Sequence, residues 1–242
     1  MKSIKYLSFL FLIVIASSCD KIKKDPISYL AQVSFAPLSA NAPAVDFYLS
    51  NAFQARTVNY STTVGTANYT LPYFISEIGG VDIKYTPTNI TVPYLTKRVV
   101  LEDNKAYSTF LIDSIAKAKL AVVEDDLSNP TSGNSKFRFF HFSSNTIPVD
   151  VFYYPPGVTT ASAIYLNRKF NDQDTITDLQ LFRETPPGNY IFEIRAAGTT
   201  TVLTTFAMLA FLPDRIYTLA LRGFTGGTGN RAVSGWWFTN KR

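Results

Sequence analysis

The phrase "NAPAVDFYLS" (residues 41–50) returns 104 residues later as "NTIPVDVFYY" (residues 145–154). In both stretches an aspartate, Asp46 or Asp150, follows a valine and precedes apolar and aromatic residues. Val, Phe and Tyr are enriched in β-strands, and the Asn and Pro residues just before them are typical of turns. The phrase therefore predicts the same turn and the same early strand in two copies of one unit.

The repeat extends beyond this phrase. Within residues 33–48, five of the 16 positions are identical to those in residues 137–152, where about one identity is expected by chance. A second match, of "DNKAYSTFL" (103–111) with "PDRIYTLAL" (213–221), lies at an offset of 110. The second copy therefore has six more residues between the two matches, and we expect them in a loop.

Each copy has the residue pattern of β-strands. In "NYIFEIRAAG" (189–198), apolar and aromatic side chains alternate with charged ones, which is the period of two of a half-buried strand. Turn signals such as "EIGGV" (77–81) and "TPPGNY" (185–190) separate short strands, as in a sandwich. No stretch predicts a convincing amphipathic helix. We expect an all-β fold with two tandem immunoglobulin-like β-sandwich domains.

Composition sets the limits of these domains. We predict the first sandwich at residues 31–128, a polar linker at residues 129–135 and the second sandwich at residues 136–242. So short a linker predicts that the domains touch end to end and form a rod. One continuous sandwich is the alternative, and it would not predict a repeat in register.

Residues 1–18 have the order of a secretory signal peptide: a basic start, an apolar run and small residues. The apolar run is shorter than the roughly 20 residues that a membrane-spanning helix needs. Cys19, the only cysteine, follows at the position of an acylated lipoprotein cysteine, and the segment resembles a lipobox with Ala16 where a larger aliphatic residue is usual. We predict lipidation at Cys19 and a lipidated tether at residues 19–30. The alternative is an ordinary signal peptide that leaves an unpaired thiol.

This interpretation predicts an exported protein, held in the bacterial cell envelope by a lipid anchor. We expect the outer membrane, with the domains either periplasmic or on the cell surface. Removal of Lys2 and Lys5 with the signal peptide lowers the formal net charge from +5 to +3, which argues against a nucleic-acid partner. With one cysteine and one histidine we expect no zinc site and no cofactor. The expected partners are the membrane, through the anchor, and a glycan or an envelope protein.

Several motifs together resemble a known family. They are "VSFAPLSANAPAVDFYL" (33–49), "NKAYSTFLI" (104–112), "AVVEDDLSNPTSGNSKFRFFHFS" (121–143) and "VDVFYY" (149–154). In order and spacing they resemble the tandem lipoproteins of domain-of-unknown-function family 4397 (DUF4397), over most of residues 31–242. The resemblance implies an exported, sandwich-like envelope protein with no established biochemical activity.

Asp46, Asp150 and His141 are the first candidates for chemistry. A carboxylate just after a turn can accept backbone N–H bonds, so we favour a structural role for both aspartates over a role as ligand or base. His141 is the only histidine, and the family's histidine position is Pro37 in the first copy, which argues against catalysis. A hydrolase that uses His141 with a nearby carboxylate is kept as an alternative.

Three further sets of residues are candidate sites. The acidic run Glu124, Asp125 and Asp126 offers oxygen ligands for calcium at the junction of the copies, although a solvated linker is favoured. The aromatic residues Trp236, Trp237, Tyr153 and Tyr154 would bind a sugar or a partner if they face outward, and the neighbouring domain could instead cover them. Ser114 and Thr175 lie in Asp-Ser/Thr-aliphatic triplets that resemble bacterial O-glycosylation sites.

These observations predict a non-enzymatic cell-envelope lipoprotein with a binding or scaffolding role. The alternatives are a surface glycan-binding module and the hydrolase that uses His141.

Overall fold

The computed structural model of the protein describes residues 30–60 and 70–241. The all-β prediction is confirmed, because these residues form sixteen strands and four short 3-10 helices, with no α-helix among them. The predicted signal peptide and Cys19 lie outside the described residues. Within the described ranges, no helix has the length and apolar character needed to cross a membrane.

The first half of the chain contains two four-stranded sheets, in the orders β4-β1-β7-β8 and β3-β2-β5-β6. Strands β1 and β7 run parallel, and the other neighbours run antiparallel. A 3-10 helix at Ile115–Lys117 precedes the last strand. The strands are β1 (Leu30–Pro37), β2 (Val45–Leu49), β3 (Ala52–Val58), β4 (Phe74–Glu77), β5 (Gly79–Pro87), β6 (Leu95–Leu101), β7 (Ala106–Ile112) and β8 (Lys119–Asp125).

The second half repeats this topology strand for strand. Its sheets have the orders β12-β9-β15-β16 and β11-β10-β13-β14, and β9 runs parallel to β15. The strands are β9 (Ser135–His141), β10 (Val149–Tyr154), β11 (Ser162–Arg168), β12 (Arg183–Thr185), β13 (Gly188–Ala196), β14 (Val202–Phe211), β15 (Ile216–Arg222) and β16 (Ser234–Lys241). The remaining 3-10 helices are Asp172–Asp174, Thr177–Gln180 and Gly229–Arg231.

Strand register matches the two sequence offsets. Val33 of β1 lies opposite Tyr107 of β7, and Phe137 of β9 lies opposite Tyr217 of β15. Most of the extra length of the second copy lies between its second and third strands. The first copy joins β2 to β3 with Ser50 and Asn51 alone, whereas residues 155–161 join β10 to β11.

Each half has its own aromatic core between its two sheets. In the first half, the rings of Phe35 and Phe47 stack with centroids 4.2 Å apart. In the second half, Phe211 and Tyr217 stack at 4.6 Å. Each pair joins the two sheets of its half, as expected for sandwiches whose inner faces are apolar.

A third apolar cluster lies between the two halves. It packs the outer face of the β1-β7-β8 sheet against the outer face of the β9-β15-β16 sheet. Phe110 of β7 is central, with its ring centroid 5.8 Å from that of Phe140, 5.0 Å from Phe142 and 6.2 Å from Phe238. We call this contact the inter-repeat interface.

The prediction of an end-to-end rod was therefore wrong. Every residue of β7, β9 and β15 is buried, so these strands are covered on both faces. Their outer faces carry apolar side chains that would be exposed to water in a rod, and burial of apolar surface is the dominant favourable contribution to association. The two sandwiches consequently pack face to face through one sheet each.

Candidate functional site

One end of the inter-repeat interface holds a buried ion pair. The guanidinium of Arg138, on β9, forms a charge-assisted hydrogen bond to Asp125, on β8, and both side chains are fully buried. The other oxygen of Asp125 accepts hydrogen bonds from the hydroxyls of Tyr73 and Ser108, each at 2.6 Å. The carboxylate therefore joins the two halves through charge and hydrogen bonds together.

Each guanidinium nitrogen of Arg138 donates to an acceptor. Its Nε donates to the Thr218 hydroxyl at 3.0 Å, and Nη1 donates to the carbonyl oxygens of Glu124 at 3.1 Å and Gln180 at 3.3 Å. The guanidinium carbon also lies 4.1 Å from the centre of the Phe182 ring. Burial of a guanidinium is tolerated when it is paired and hydrogen-bonded, and here every guanidinium nitrogen donates at least one hydrogen bond.

Asn240, on β16, extends the same network back to the first half. Its amide oxygen accepts from Thr218 at 2.6 Å, and its amide nitrogen donates to the Tyr73 oxygen at 3.1 Å. Burial, helped by the charge of Asp125, raises the pKa of Tyr73 well above its ordinary value. The phenol therefore stays neutral and keeps its proton for the hydrogen bond to Asp125.

The acidic run does not form the proposed calcium site. Asp125 faces the interface and pairs with Arg138, Glu124 pairs with Lys105 at the surface, and Asp126 pairs with Lys136 at 3.1 Å. Residues 124 and 125 are consecutive on a strand, so their side chains point to opposite faces. Among the described residues, no group of three or more His, Cys, Asp or Glu side chains could hold a metal ion. The calcium hypothesis is wrong because these carboxylates do not converge.

The two tryptophans are not a surface platform. Trp236 is 1% exposed in the inter-repeat interface, and Trp237 is 3% exposed in the core of the second half. The two tryptophans do lie on opposite faces of β16, but the first half of the chain covers the outward ring, that of Trp236. The prediction of a tryptophan binding surface was therefore wrong, and the alternative of a covered ring describes the structure.

Tyr153 and Tyr154 lie on opposite faces of β10. The Tyr153 ring packs on the core and stacks with Phe192 at 5.9 Å. Tyr154 faces outward, and its hydroxyl donates to Glu193 at 2.7 Å. That hydrogen bond raises the pKa of Tyr154 and lowers the pKa of Glu193. Only Tyr154 of the predicted aromatic set offers a ring on an outer face.

The repeated aspartates have architectural contacts. Asp150 accepts backbone N–H bonds from Asn167 at 2.7 Å and Gly198 at 2.8 Å, so it ties β10 to the end of β11 and to the turn after β13. Asp46 accepts a hydrogen bond from the Thr88 hydroxyl at 3.1 Å, just after β5. Both carboxylates hold loops at the same end of their sandwich, which is the kind of role that their position after a turn predicts.

His141 is fully buried at the end of β9. Its Nδ1 accepts from the backbone N–H of Ser143 at 3.3 Å, so the proton is on Nε2, which donates to the carbonyl of Ile147 at 3.3 Å. Asp172 is the carboxylate whose charge acts on the His141 ring, and it already accepts hydrogen bonds from Nε and Nη2 of Arg168. Burial lowers the pKa of His141 to about 4, so the ring is neutral near pH 7. It fixes the loop of residues 142–148.

The two O-glycosylation candidates have different surroundings. Thr175 is exposed, with its hydroxyl donating to the Asp172 carbonyl at 3.2 Å. Ser114 is half-buried beside Asp113, whose carboxylate accepts the Ser114 backbone N–H at 2.7 Å. An enzyme acting on the folded protein would reach Thr175 more easily than Ser114.

Sequence reasoning missed a groove on the outer face of the first half, which we call the Tyr48 groove. It has a volume of about 250 Å³. Tyr48 contributes a half-buried ring, and Lys84 donates to the Asn51 side chain at 2.8 Å on its wall. The outer sheet of the second half presents Phe152 at the equivalent position, with the Arg195 guanidinium 4.1 Å from its ring centre. The signal was present in the repeated phrase, as the aromatic residue two positions after each aspartate.

Comparison with known proteins gives one family match. A family model described as "Domain of unknown function (DUF4397)" matches residues 31–152, which is half of the chain. No curated protein matches. Among solved structures, a leucine-rich repeat protein from Bacteroides thetaiotaomicron VPI-5482 aligns with 10% identity and a TM-score of 0.20, covering 78% of this chain and 25% of that one. The chain spans about a quarter of that protein's length, and so weak a likeness supports no conclusion.

The environment of His141 predicts a pH dependence of stability. The folded protein holds the ring neutral with a pKa of about 4, whereas the unfolded chain has the ordinary value of 6.5. The contribution of the neutral His141 ring to the free energy of unfolding is therefore fully present above pH 6.5, and it is lost as the pH falls toward 4. Between pH 7.5 and 5 we expect His141 to account for a loss of about 2 kcal/mol in the free energy of unfolding.

Urea denaturation at both pH values, for the wild type and for His141→Gln, measures this contribution. Carboxylates titrate in both proteins, so the difference between their two pH responses isolates the histidine. The variant should lose less stability on acidification than the wild type. Equal losses in the two proteins would contradict the buried, neutral histidine.

Proposed function

The chain belongs to the DUF4397 family, defined by a domain of unknown function, and we propose that it is a non-enzymatic lipoprotein of the cell envelope. In this proposal Cys19 carries the lipid and residues 19–30 are the tether. The two sandwiches together form one rigid body with a binding or scaffolding role. We place it at the outer membrane, facing the periplasm or the medium.

The observation that carries the binding or scaffolding role is the inter-repeat interface. It uses one sheet of each sandwich and leaves the two other sheets, β3-β2-β5-β6 and β11-β10-β13-β14, on opposite sides of the molecule. The ion pair of Arg138 with Asp125 and the packing around Phe110 oppose a hinge between the halves. A rigid body with two outward sheet faces is suited to holding partners at a fixed separation.

The surroundings of His141 give no support to the hydrolase alternative. A general base needs a free lone pair within reach of substrate. Here Nδ1 already accepts a backbone N–H, Nε2 donates to a carbonyl, and the ring is fully buried. A pKa of about 4 also leaves the imidazole a weak base.

Lipidation of Cys19 is tested by Cys19→Ala in the native host. The wild type should partition into the detergent phase of a Triton X-114 extract, because several acyl chains give a stable anchor. The variant should move to the aqueous phase while keeping the same melting temperature, since the described strands begin only at Leu30. Protease shaving of intact cells then separates surface from periplasmic display. Detergent-phase partition of the variant would contradict the anchor.

A glycan-binding role is the second candidate, and the Tyr48 groove is the observation that favours it. An aromatic ring beside amide and ammonium groups is a usual way to stack on a sugar and bond its hydroxyls. The groove lies on an outer sheet, away from the inter-repeat interface. It replaces the tryptophans as the candidate sugar platform.

Tyr48→Ala tests this second role. A glycan array should show binding by the wild type, and the variant should bind the same glycan about tenfold more weakly through loss of ring stacking. Val100→Ala is the matched control, because Val100 is 74% exposed on β6 of the same sheet and does not line the groove. Absence of array binding by the wild type, or equal binding by Tyr48→Ala, would contradict a glycan site in this groove.

A further inference from the structure

The inter-repeat interface contains a second buried guanidinium, that of Arg222 at the end of β15. The residue is 3% exposed and lies at the opposite end of the interface from Arg138. Its Nε and Nη1 atoms have no hydrogen-bond partner among residues 30–60 and 70–241. No described carboxylate forms an ion pair with it.

The neighbours of Arg222 are donors as well. The ring of Tyr60 lies 4.3 Å and that of Trp236 lies 5.9 Å from the guanidinium carbon. The Tyr60 hydroxyl and the Trp236 Nε1 atom are buried, and neither has a hydrogen-bond partner within the described parts of the chain. Burial raises the pKa of Tyr60, so its hydroxyl keeps the proton that it can donate. Three kinds of buried donor thus lie near one another, and none of the named donor atoms has an acceptor among the described residues.

The contrast with Arg138 shows what is missing. The same interface buries Arg138 with a carboxylate, two backbone carbonyls and a hydroxyl as acceptors. At Arg222 the aromatic rings offer only cation–π contact, which does not occupy the N–H donors. An uncompensated buried charge is strongly destabilising, and accordingly burial lowers the pKa of Arg222. The site therefore has the donors of an anion-binding site.

An apolar cleft shares Trp236 with this group of donors, whereas Arg222 and Tyr60 lie outside its lining. Trp236 forms part of its wall, and Asn59, next to Tyr60 in the chain, lines it too. The other lining residues are mainly apolar, among them Phe35, Leu38, Val58, Leu71 and Phe74. The volume is about 220 Å³, which is below the range of drug-sized pockets and fits a short tail.

We propose that this junction binds a small carboxylic acid with an aliphatic tail. The carboxylate is held by the Arg222 guanidinium with the Tyr60 hydroxyl and the Trp236 indole N–H, and the tail lies in the apolar cleft. An arginine binds a carboxylate at two points through Nε and Nη2, as Arg168 binds Asp172, or through Nη1 and Nη2. One carboxylate therefore accepts a charge-assisted bond from one of the two Arg222 nitrogens, Nε or Nη1, that have no partner in the described parts of the chain. The site is independent of the lipid anchor and of the Tyr48 groove, and it stands if either of those roles fails.

Octanoate is the probe for this site. Isothermal titration of the purified protein with octanoate, 1-octanol and acetate separates the contributions of charge and tail. Octanoate should bind, and the alcohol and acetate should each bind at least about tenfold more weakly. Equal binding of octanoate and octanol would overturn the role of Arg222, and no binding of octanoate would overturn the site. Tighter binding of dioctanoyl phosphatidic acid than of octanoate would overturn the free acid as ligand.

Arg222→Gln gives the structural readout. The variant should bind octanoate at least about tenfold more weakly, and without ligand its melting temperature should stay equal or rise, because an unpaired buried charge is gone. Arg98→Gln is the matched control, with a side chain 69% exposed in a surface pair, and should change neither value. A large fall in the melting temperature of ligand-free Arg222→Gln would overturn the proposal, since it would show an internal partner for the charge.

A second variant keeps the test decisive if Arg222→Gln does not fold. Val58→Phe enlarges a half-buried residue of the cleft and leaves Arg222 in place. It should weaken octanoate binding and leave acetate binding unchanged, since it fills only the space of the tail. Unchanged octanoate affinity in Val58→Phe would overturn the placement of the tail.

Discussion

The buried pair of Arg138 and Asp125 is the interaction on which the arrangement of the two sandwiches depends. Neither side chain has access to water, so each charge requires the other. They belong to strands of different halves, β9 and β8, and the intervening linker is short. Satisfying both charges therefore fixes how the second sandwich lies on the first. The apolar packing around Phe110 then supplies contact area over the remainder of the two faces.

Duplication with divergence explains why this interface is asymmetric. Position 34 of the first copy corresponds to position 138 of the second, and both face the interface from the first strand of their sandwich. The first copy has Ser34, whose hydroxyl meets that of Ser108 at 3.0 Å, whereas the second has the arginine. One copy thus provides the cation and the other the carboxylate. The copies also differ at Pro37 and His141, and the histidine fixes the loop that follows β9.

The sequence predicts the strands and the repeat well because strand formation depends on residues that are close together in the chain. Alternation, turn residues and the repeated phrase depend on neighbours in the chain, and they lead to the strand pattern of both copies and to the family. The face-to-face packing depends on surfaces that are distant in sequence. Its signal was the presence of apolar residues on both faces of one strand, as in "AYSTFLI" (106–112) and at Phe137 and Phe140 of "KFRFFHF" (136–142), because strands covered on both faces carry apolar side chains on both.

The candidate sites were harder to predict for the same reason. An acidic run resembles a cation site in one dimension, but strand geometry sends Glu124 and Asp125 to opposite faces. An arginine among phenylalanines, as at Arg138, requires a buried acid, and that requirement could have linked it to Asp125. Arg222 and Tyr60 give no such local signal, because their juxtaposition arises only when the two halves pack.

The most direct test of this account is a double-mutant cycle between Asp125→Asn and Arg138→Met, measured by urea denaturation. If the pair joins the halves, each single change should lower the free energy of unfolding by about 3–5 kcal/mol. The double variant should lose much less than the sum, with unfolding of the wild type in one transition. Additive losses, or two separate transitions in the wild type, would contradict a buried pair that holds the two sandwiches together.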